Sequence, residues 1–302
     1  MEHGDGTAQE IGLKEFDPRW IKPNATVAVI SKRGNGKSTL MKDLMFFQRS
    51  AVGAAVVFSE TEGDNGFYST FIPSSFIYDK IDEAALLRII DRQRTVKQAP
   101  PNSPNFNPNL IVLVDDVFAD KTVFNSAVLR SYVLQGRHWP VGFWMGAQYP
   151  NDIPKGLRMN IDWVFVLREN QATCRKVLYE NFFSVFQSPA MFAQALETYS
   201  ENFGCLVLNN TERSNDLTKT VFWYRANPNR PDWRLGRDMW KFHEQYYLHR
   251  AASLPKQVDW SAAQPLAKAT TLPGKRSTAG GKKNQQSVNF VFLDRNGQQV
   301  QK

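Results

Sequence analysis

The sequence predicts an α/β fold in which a mainly parallel central sheet is flanked by helices on both faces. Short apolar runs rich in β-branched residues recur along the chain, as expected of strands buried on both faces. Segments with apolar residues at helical spacing lie between these runs. Because strands and helices alternate, parallel strands joined by crossover helices are the expected topology.

The length fits one such core with an additional segment at each end. The chain has 302 residues, and a single α/β core takes roughly 200–250 of them. Residues 1–18 form a polar lead-in that ends at Asp17-Pro18, where proline disfavours helix in the preceding residue. We assign residues 19–250 to the central domain and residues 251–302 to a basic, flexible tail, in which 288–292 either adds a strand or docks elsewhere.

The strand candidates follow the lead-in in a regular order. The apolar runs are 25–30, 54–58, 110–114, 141–145, 163–167, 205–208 and 220–224. Helices are predicted after the first run, where Leu40, Met41, Leu44 and Met45 share one face, and over 82–94, 124–134 and 238–250. A Pro- and Asn-rich stretch, 99–109, ends the helix over 82–94 and is predicted to be an exposed loop.

The positive charge of the chain is concentrated in the tail. The net charge is +8, and residues 251–302 contain eight Lys or Arg and two Asp, so the core is close to neutral. A tail of this kind either neutralises nucleic-acid phosphates or is a solvated charge run.

Cysteines and hydropathy bear on the compartment. Cys174 and Cys205 have neither the spacing of metal ligands nor that of a disulfide framework, which indicates a reducing environment. The N-terminus lacks the apolar region of a secretory signal, and no apolar run approaches the ~18 residues of a membrane span. We therefore expect a soluble protein that is not secreted and has no transmembrane segment.

The most informative motif is SKRGNGKST, residues 31–39, which matches the Walker A pattern from Gly36 to Ser38. Glycines allow backbone N–H groups to turn towards a phosphate, and the following helix adds the positive end of its dipole. Lys37 would bind the β- and γ-phosphates, Ser38 would ligate Mg²⁺ and Thr39 would contact the α-phosphate side. Ser31 stands where such loops usually have their first glycine. The predicted nucleotide-binding residues are Arg33, Gly34, Asn35, Gly36, Lys37, Ser38 and Thr39.

An ordinary glycine-rich surface turn is the alternative for this motif. The context favours a phosphate-binding loop, because the motif follows a buried strand directly and opens an amphipathic helix.

Two carboxylates close the third strand. Asp115 and Asp116 follow the most apolar run, at the end of a strand where α/β proteins bind ligands. Asp115 is predicted to hold Mg²⁺ together with Ser38, and Asp116 to orient and deprotonate the attacking water. The alternative is that the two aspartates only begin a turn.

A polar strand end and three arginines complete the predicted site. Gln148, after the fourth strand, can sense the γ-phosphate or position water without adding charge, although an exposed Gln after a strand is also common. Hydrolysis often needs an arginine that stabilises the transition state, supplied in cis or by a neighbouring subunit. The candidates are Arg158, Arg137 and, in cis, Arg33.

The motifs SKRGNGKST, LIVLVDD, GRHWPVGFWMGAQYP and LRMNIDWVFVLREN together resemble a known family. Their order is similar to that of the FtsK–HerA superfamily of P-loop ATPases, and within it to the DNA-packaging ATPases of the poxvirus type found in nucleocytoplasmic large DNA viruses. The resemblance covers residues 25–167, with looser agreement up to residue 224. Lys37, Ser38, Asp115, Asp116 and Gln148 match the family's positions one by one, whereas Ser31 departs from the family's leading glycine.

This resemblance implies a RecA-like core that assembles as a homo-oligomeric ring. The implied cofactors are ATP and Mg²⁺, and the implied activity is ATP hydrolysis coupled to moving double-stranded DNA into a capsid. The implied partners are the viral genome and capsid or portal-vertex proteins. The implied location is the host-cell cytoplasm at the site of virus assembly, with the virion as a second location.

Other functions of a phosphate-binding loop remain as alternatives. A P-loop kinase needs an arginine-rich lid, which Arg168 and Arg175 could imitate, but no compact lid segment is evident. The Asn-Lys-x-Asp motif of GTPases and the Leu-Ser-Gly-Gly-Gln motif of ABC ATPases are absent from the sequence. A nucleotide-gated virion assembly factor would lack a catalytic carboxylate, which Asp116 supplies here. Another DNA-pumping ATPase of the same superfamily is the nearest alternative.

Overall fold

A ten-stranded sheet organises the computed structural model, which describes residues 9–81, 83–98, 106–117, 126–135, 139–248 and 288–300. The strands are Gln9–Glu15 (β1), Thr26–Ile30 (β2), Ala54–Ser59 (β3), Ile77–Tyr78 (β4), Leu110–Asp115 (β5), Val141–Ala147 (β6), Trp163–Val166 (β7), Gly204–Asn209 (β8), Val221–Arg225 (β9) and Val288–Leu293 (β10). The α-helices are Lys37–Gln48 (α1), Glu62–Asn65 (α2), Glu83–Gln98 (α3), Ala127–Gln135 (α4), Lys155–Arg158 (α5), Ala172–Asn181 (α6), Pro189–Tyr199 (α7), Leu217–Thr220 (α8) and Arg237–Phe242 (α9). A π-helical segment, His243–Tyr247, continues α9.

The strands lie in the order β10-β1-β9-β8-β7-β2-β6-β5-β3-β4. Only β8 runs antiparallel to its neighbours, β7 and β9, and all other neighbouring strands are parallel. The prediction of a mainly parallel α/β sheet is confirmed, and each strand candidate forms a strand whose ends lie within two residues of those predicted. Within the part of the chain that the structure describes, none of the helices has the length and apolar character that crossing a membrane requires.

Alternate residues of the central strands pack into two separate cores, one on each face of the sheet. In β2, Val27 and Val29 contact the core that contains α1, whereas Ala28 and Ile30 contact the core that contains α3, α4 and α7. Every residue of β2 and of β5 is buried. Continuous apolar runs are therefore needed here, because neither face of these strands reaches water.

Two strands lie outside the predicted limits of the central domain. β1 belongs to the lead-in 1–18, and β10 belongs to the tail 251–302. The two strands pair with each other in parallel, and Leu13 lies opposite Phe292. The boundaries at residues 18 and 250 therefore leave out two strands. Of the two possibilities for 288–292, the structure shows the added strand, Val288–Leu293. The sequence did not indicate β1 as a strand because the segment has only Ile11 and Leu13 as large apolar residues. Its strand structure therefore depends on a partner far away in sequence. Of the predicted tail, residues 251–287 and 301–302 lie outside the described residues.

Candidate nucleotide-binding site

The sheet brings the predicted site residues together at one edge. β6 lies between β2 and β5, and all three strands are parallel, so their C-terminal ends lie side by side. The loop 31–36 follows β2, Asp115 ends β5 and Gln148 follows β6. The C-terminal ends of parallel strands are the usual place where α/β proteins bind ligands.

The loop between β2 and α1 has the backbone conformation that the sequence predicts. Gly34 and Gly36 have φ values of 85° and 91°, in the left-handed region that favours glycine. A Cβ at Gly34 would meet nothing within 4 Å, so the backbone angle, not lack of space, requires glycine there. Ser31 does not adopt a positive φ, and its N–H donates to the carbonyl of Ala147 at 3.0 Å. Its departure from the usual leading glycine is therefore compatible with the loop, because it only extends the β2–β6 pairing.

Lys37, the first residue of α1, lies between Asp115 and Asp116. Its Nζ lies 2.7 Å from Oδ1 of Asp115 and also forms an ion pair with Asp116. The side chains of Lys37 and Asp115 are only 6% and 2% exposed. Burial raises the pKa of Asp115, and the positive charge of Lys37 opposes this shift. We call Lys37, Asp115 and Asp116 the carboxylate–lysine cluster.

A tyrosine that sequence reasoning missed positions Asp115. The hydroxyl of Tyr68 donates to Oδ2 of Asp115 at 2.6 Å, and burial raises the pKa of Tyr68 well above its usual value, so it remains a donor. Both backbone N–H groups of Tyr68 and Ser69 donate to the carboxylate of Glu62 at 2.8 Å, which fixes the loop after α2. No motif in the sequence marks Tyr68, which is 47 residues from Asp115.

A glycine in β6 allows α1 and β5 to approach each other. Gly146 is paired with Asp115 across the strands, and a Cβ added there would lie 2.2 Å from Oδ1 of Asp115 and 3.1 Å from Sδ of Met41. Any side chain at Gly146 would therefore displace the Asp115 carboxylate. The available signal was a glycine inside an otherwise apolar strand, which often marks a close approach.

Asp116 and Gln148 lie beside this pair. Asp116 has a φ of 57°, a conformation that Asp tolerates better than most residues. Its N–H donates to the carbonyl of Gly146 at 3.2 Å, and its side chain is 20% exposed. Gln148 is half-buried directly after β6. The structure thus brings Lys37, Asp115 and Asp116 into contact, with Gln148 after the adjacent strand.

Of the three candidate arginines, the two that the structure describes are not part of this contact. Arg33 is exposed in the loop after β2. Arg158 ends α5, where its guanidinium donates to Oδ1 of Asn151 at 3.3 Å, and within the described ranges it does not bond to the carboxylate–lysine cluster. Arg137 lies outside the described residues.

On the other side of the loop, towards β7 and β8, the loop makes contacts of a different kind. The side-chain amide of Asn35 donates to the carbonyl of Arg168 at 2.8 Å, and Lys32 forms an ion pair with Glu169 at 2.6 Å. Phe203, immediately before β8, lies against Gly36: a Cβ added at Gly36 would be 3.1 Å from its Cδ1 atom. Sequence reasoning did not identify Phe203, because only the antiparallel β8 brings it to this edge of the sheet.

The residues present fit a magnesium–nucleoside triphosphate. The hydroxyl of Ser38 and the carboxylate of Asp115 are oxygen ligands of the kind that Mg²⁺ prefers. The cluster holds two carboxylates and one ammonium group, so its net negative charge favours a further cation. The left-handed glycines and the N-terminus of α1 are suited to phosphate oxygens.

Comparison with known sequences places the chain among proteins of large DNA viruses. It is 32% identical over 227 residues to Uncharacterized protein 088R of Invertebrate iridescent virus 3, with 72% of this chain and 85% of that protein covered. It is 33% identical over 228 residues to Uncharacterized protein 015R of Frog virus 3, with 72% and 70% covered. No protein-family profile matches the chain.

Solved structures with the same fold carry nucleotides. The genome packaging NTPase B204 of Sulfolobus turreted icosahedral virus 2, in complex with AMPPCP, superposes with a TM-score of 0.50 at 12% identity, covering 68% of this chain and 99% of that chain. The pCW3 conjugation coupling protein TcpA with ATPγS superposes with a TM-score of 0.51 at 13% identity, covering 74% and 66%. This chain therefore has the RecA-like P-loop ATPase fold that B204 and TcpA share, and it belongs to the same family of nucleocytoplasmic large DNA virus proteins as 088R and 015R.

Proposed function

We propose that this chain is an ATP-hydrolysing motor that translocates double-stranded DNA and packages a viral genome into the capsid. The observation that carries the proposal is the carboxylate–lysine cluster, in which Lys37 at the head of α1 contacts both Asp115 and Asp116. A loop that only bound phosphate would not need two carboxylates at its lysine. A loop that hydrolyses ATP needs one for Mg²⁺ and one for water.

The residues of the cluster divide this work according to their surroundings. Lys37 would bind phosphate oxygens, and Ser38 and Asp115 would hold Mg²⁺, which supplies charge neutralisation on the triphosphate. Tyr68 keeps Asp115 oriented through its hydrogen bond to Oδ2. Backbone N–H groups around Gly34 and Gly36 would surround the phosphates.

Asp116 is the proposed general base. Its carboxylate is more exposed than that of Asp115, so water can reach it, and it would take a proton from the attacking water. Gln148 would position that water or sense the γ-phosphate. An arginine of a neighbouring subunit in a homo-oligomeric ring, Arg158 or Arg137, would stabilise the transition state.

DNA packaging is supported by the relatives of the chain. They belong to large DNA viruses, and B204, which shares the fold, is described as a genome packaging NTPase. The partners we propose are the viral genome and capsid or portal-vertex proteins, in the host-cell cytoplasm at the assembly site and in the virion. A second DNA-pumping role has specific support as well, because TcpA, a conjugation coupling protein, has the same fold.

Steady-state ATPase activity with and without linear duplex DNA tests the proposal. We expect turnover that rises with DNA and falls by about 10²-fold or more in Lys37→Ala. Nucleotide binding without turnover under either condition, in the assembled oligomer, would instead support a nucleotide-gated assembly factor.

The role of the basic tail needs a variant that preserves β10. Deleting residues 251–302 would remove a strand of the sheet. Replacing Lys256, Lys268, Lys275, Arg276, Lys282 and Lys283 with Gln removes the charge and keeps the strand. If the tail binds DNA, the logarithm of the binding constant will depend less steeply on the logarithm of the salt concentration, by about 0.9 for each DNA phosphate that the variant no longer neutralises. An unchanged salt dependence would place the DNA surface elsewhere on the motor.

A further inference from the structure

Phe203 is an exposed aromatic residue at the edge of the sheet that carries the phosphate-binding loop. β8 runs antiparallel to β7, so the start of β8 lies beside the ends of β7 and β2. Phe203 precedes the first residue of β8 and is 67% exposed. Its aromatic ring faces Gly36, since a Cβ at that glycine would lie 3.1 Å from Cδ1 of Phe203 and 3.8 Å from Cδ2 of Leu167.

The backbone holds this side chain in an uncommon conformation. Asn202 and Phe203 have φ values of 50° and 60°, in the left-handed region that bulky residues rarely adopt. Among the described residues, the only other non-glycine residue with a positive φ is Asp116, at the same edge of the sheet. Uncommon backbone conformations of this kind tend to persist at functional sites.

The carboxylate–lysine cluster sets the direction in which a bound nucleotide must lie. Asp115 and Asp116 lie on the β5–β6 side of the loop, so the γ-phosphate and Mg²⁺ belong on that side. β2 lies between β6 and β7. A nucleoside attached to phosphates held there would leave the loop on the other side, towards β7 and β8, where Phe203 is exposed.

We propose that Phe203 is the platform on which the base of bound ATP stacks. The inference rests on the proposed ATPase function and adds the part of the site that holds the nucleoside. Aromatic side chains stack on any nucleobase, because every base has a π face. Phe203 thus contributes affinity for the nucleoside but does not by itself select one base.

Binding of two probes separates this role from a structural one. The probes are a non-hydrolysable ATP analogue and inorganic tripolyphosphate, each with Mg²⁺, measured by calorimetry on the full chain. Phe203→Leu keeps an apolar contact with Gly36 but has no π face, and Phe203→Tyr keeps the π face. We expect Phe203→Leu to bind the ATP analogue about 5- to 150-fold more weakly, to bind tripolyphosphate as the wild type does, and Phe203→Tyr to restore the affinity. In turnover, KM for ATP should rise while kcat is retained.

The possible results distinguish this inference from the proposed function. Equal weakening of both probes in Phe203→Leu would show that the ring shapes the phosphate loop, and unchanged binding of both would show that the base lies elsewhere. Either result overturns the stacking role and leaves the ATPase proposal in place. A wild-type chain that binds neither probe, or whose binding is unaffected by Lys37→Ala, would overturn the proposed function and this inference with it.

Discussion

The two flanks of the phosphate-binding loop contain similar ion pairs in different surroundings. On the β5–β6 flank, Lys37 lies 2.7 Å from Asp115, and the two side chains are 6% and 2% exposed. On the β7–β8 flank, Lys32 lies 2.6 Å from Glu169, but the lysine is 29% exposed. The distances are nearly equal, so distance alone does not show which pair matters.

The two ion pairs differ in how deeply their lysines are buried, and burial determines how much each pair matters. A buried ion pair is strongly destabilised when one partner is removed, because the other charge is left without compensation. Lys32 is only partly buried although Glu169 is 8% exposed, so water and salt screen this pair more than the Lys37–Asp115 pair, and it contributes less. We therefore expect chemistry and stability to depend on the β5–β6 flank, and the β7–β8 flank to affect only nucleotide affinity.

Asp116→Asn should have the largest effect on turnover. Asn tolerates the left-handed backbone of this position almost as well as Asp, so the substitution removes the proposed base and retains the conformation. We expect kcat to fall by about 10²- to 10⁴-fold while the nucleotide still binds. Retained DNA-stimulated turnover would show that another group activates the water.

Lys37→Ala should reduce both activity and stability. Without the ammonium group that we propose binds phosphate, kcat/KM should fall by about 10²- to 10³-fold. The buried carboxylate of Asp115 is then left without its cation, which should lower the free energy of unfolding by about 3–5 kcal/mol. Denaturant unfolding measures this decrease.

A double variant separates these two consequences. Lys37→Ala combined with Asp115→Asn removes the uncompensated charge, so stability should recover in part while activity stays at least as low as in Lys37→Ala. If the double variant is no more stable than Lys37→Ala, the buried charge is not the cause of the instability.

Tyr68→Phe should alter the dependence on Mg²⁺ specifically. The substitution removes only the hydroxyl that donates to Asp115, and loss of such a positioning group typically lowers metal affinity by about 10- to 100-fold. The measurement is the Mg²⁺ concentration for half-maximal ATPase activity. Tyr199→Phe is the matched control, because Tyr199 is also buried and its hydroxyl bonds to Leu13 and Val291 at the β1–β10 edge. Equal shifts in both variants would indicate a general loss of stability.

The two flanks also differ in how far the sequence predicts them. The residues of the β5–β6 flank follow long apolar runs, and the polar residues that end such runs are conspicuous because β2 and β5 are buried on both faces. The loop between β2 and α1 was equally predictable from the sequence. Its left-handed positions are occupied by glycines, and a Gly-Lys-Ser motif marks the start of the following helix.

Residues whose role depends on contacts distant in sequence were not predictable. Tyr68 has no local pattern that links it to Asp115, and Phe203 reaches the site only through the antiparallel β8. β1 was missed for the same reason, and for 288–292 the sequence left open whether the segment adds a strand, because each is a short amphipathic segment whose partner lies at the other end of the chain. Local patterns thus identified the strands that are buried on both faces but did not settle the strands that depend on distant pairing.

Lys32→Ala should have the smallest effect and gives the sharpest test of the comparison. Lys32 lies in the loop 31–36 and Lys37 directly follows that loop as the first residue of α1, and both lysines form ion pairs with carboxylates. When Lys32 is removed, Glu169 still accepts a hydrogen bond from the backbone N–H of Gln171 at 2.7 Å, so its charge is not left without a partner. We expect KM for ATP to change by less than about fivefold, and the change to shrink further in high salt. A loss of turnover as large as that of Lys37→Ala would mean that burial does not distinguish the flanks and that the Lys32–Glu169 pair takes part in the chemistry.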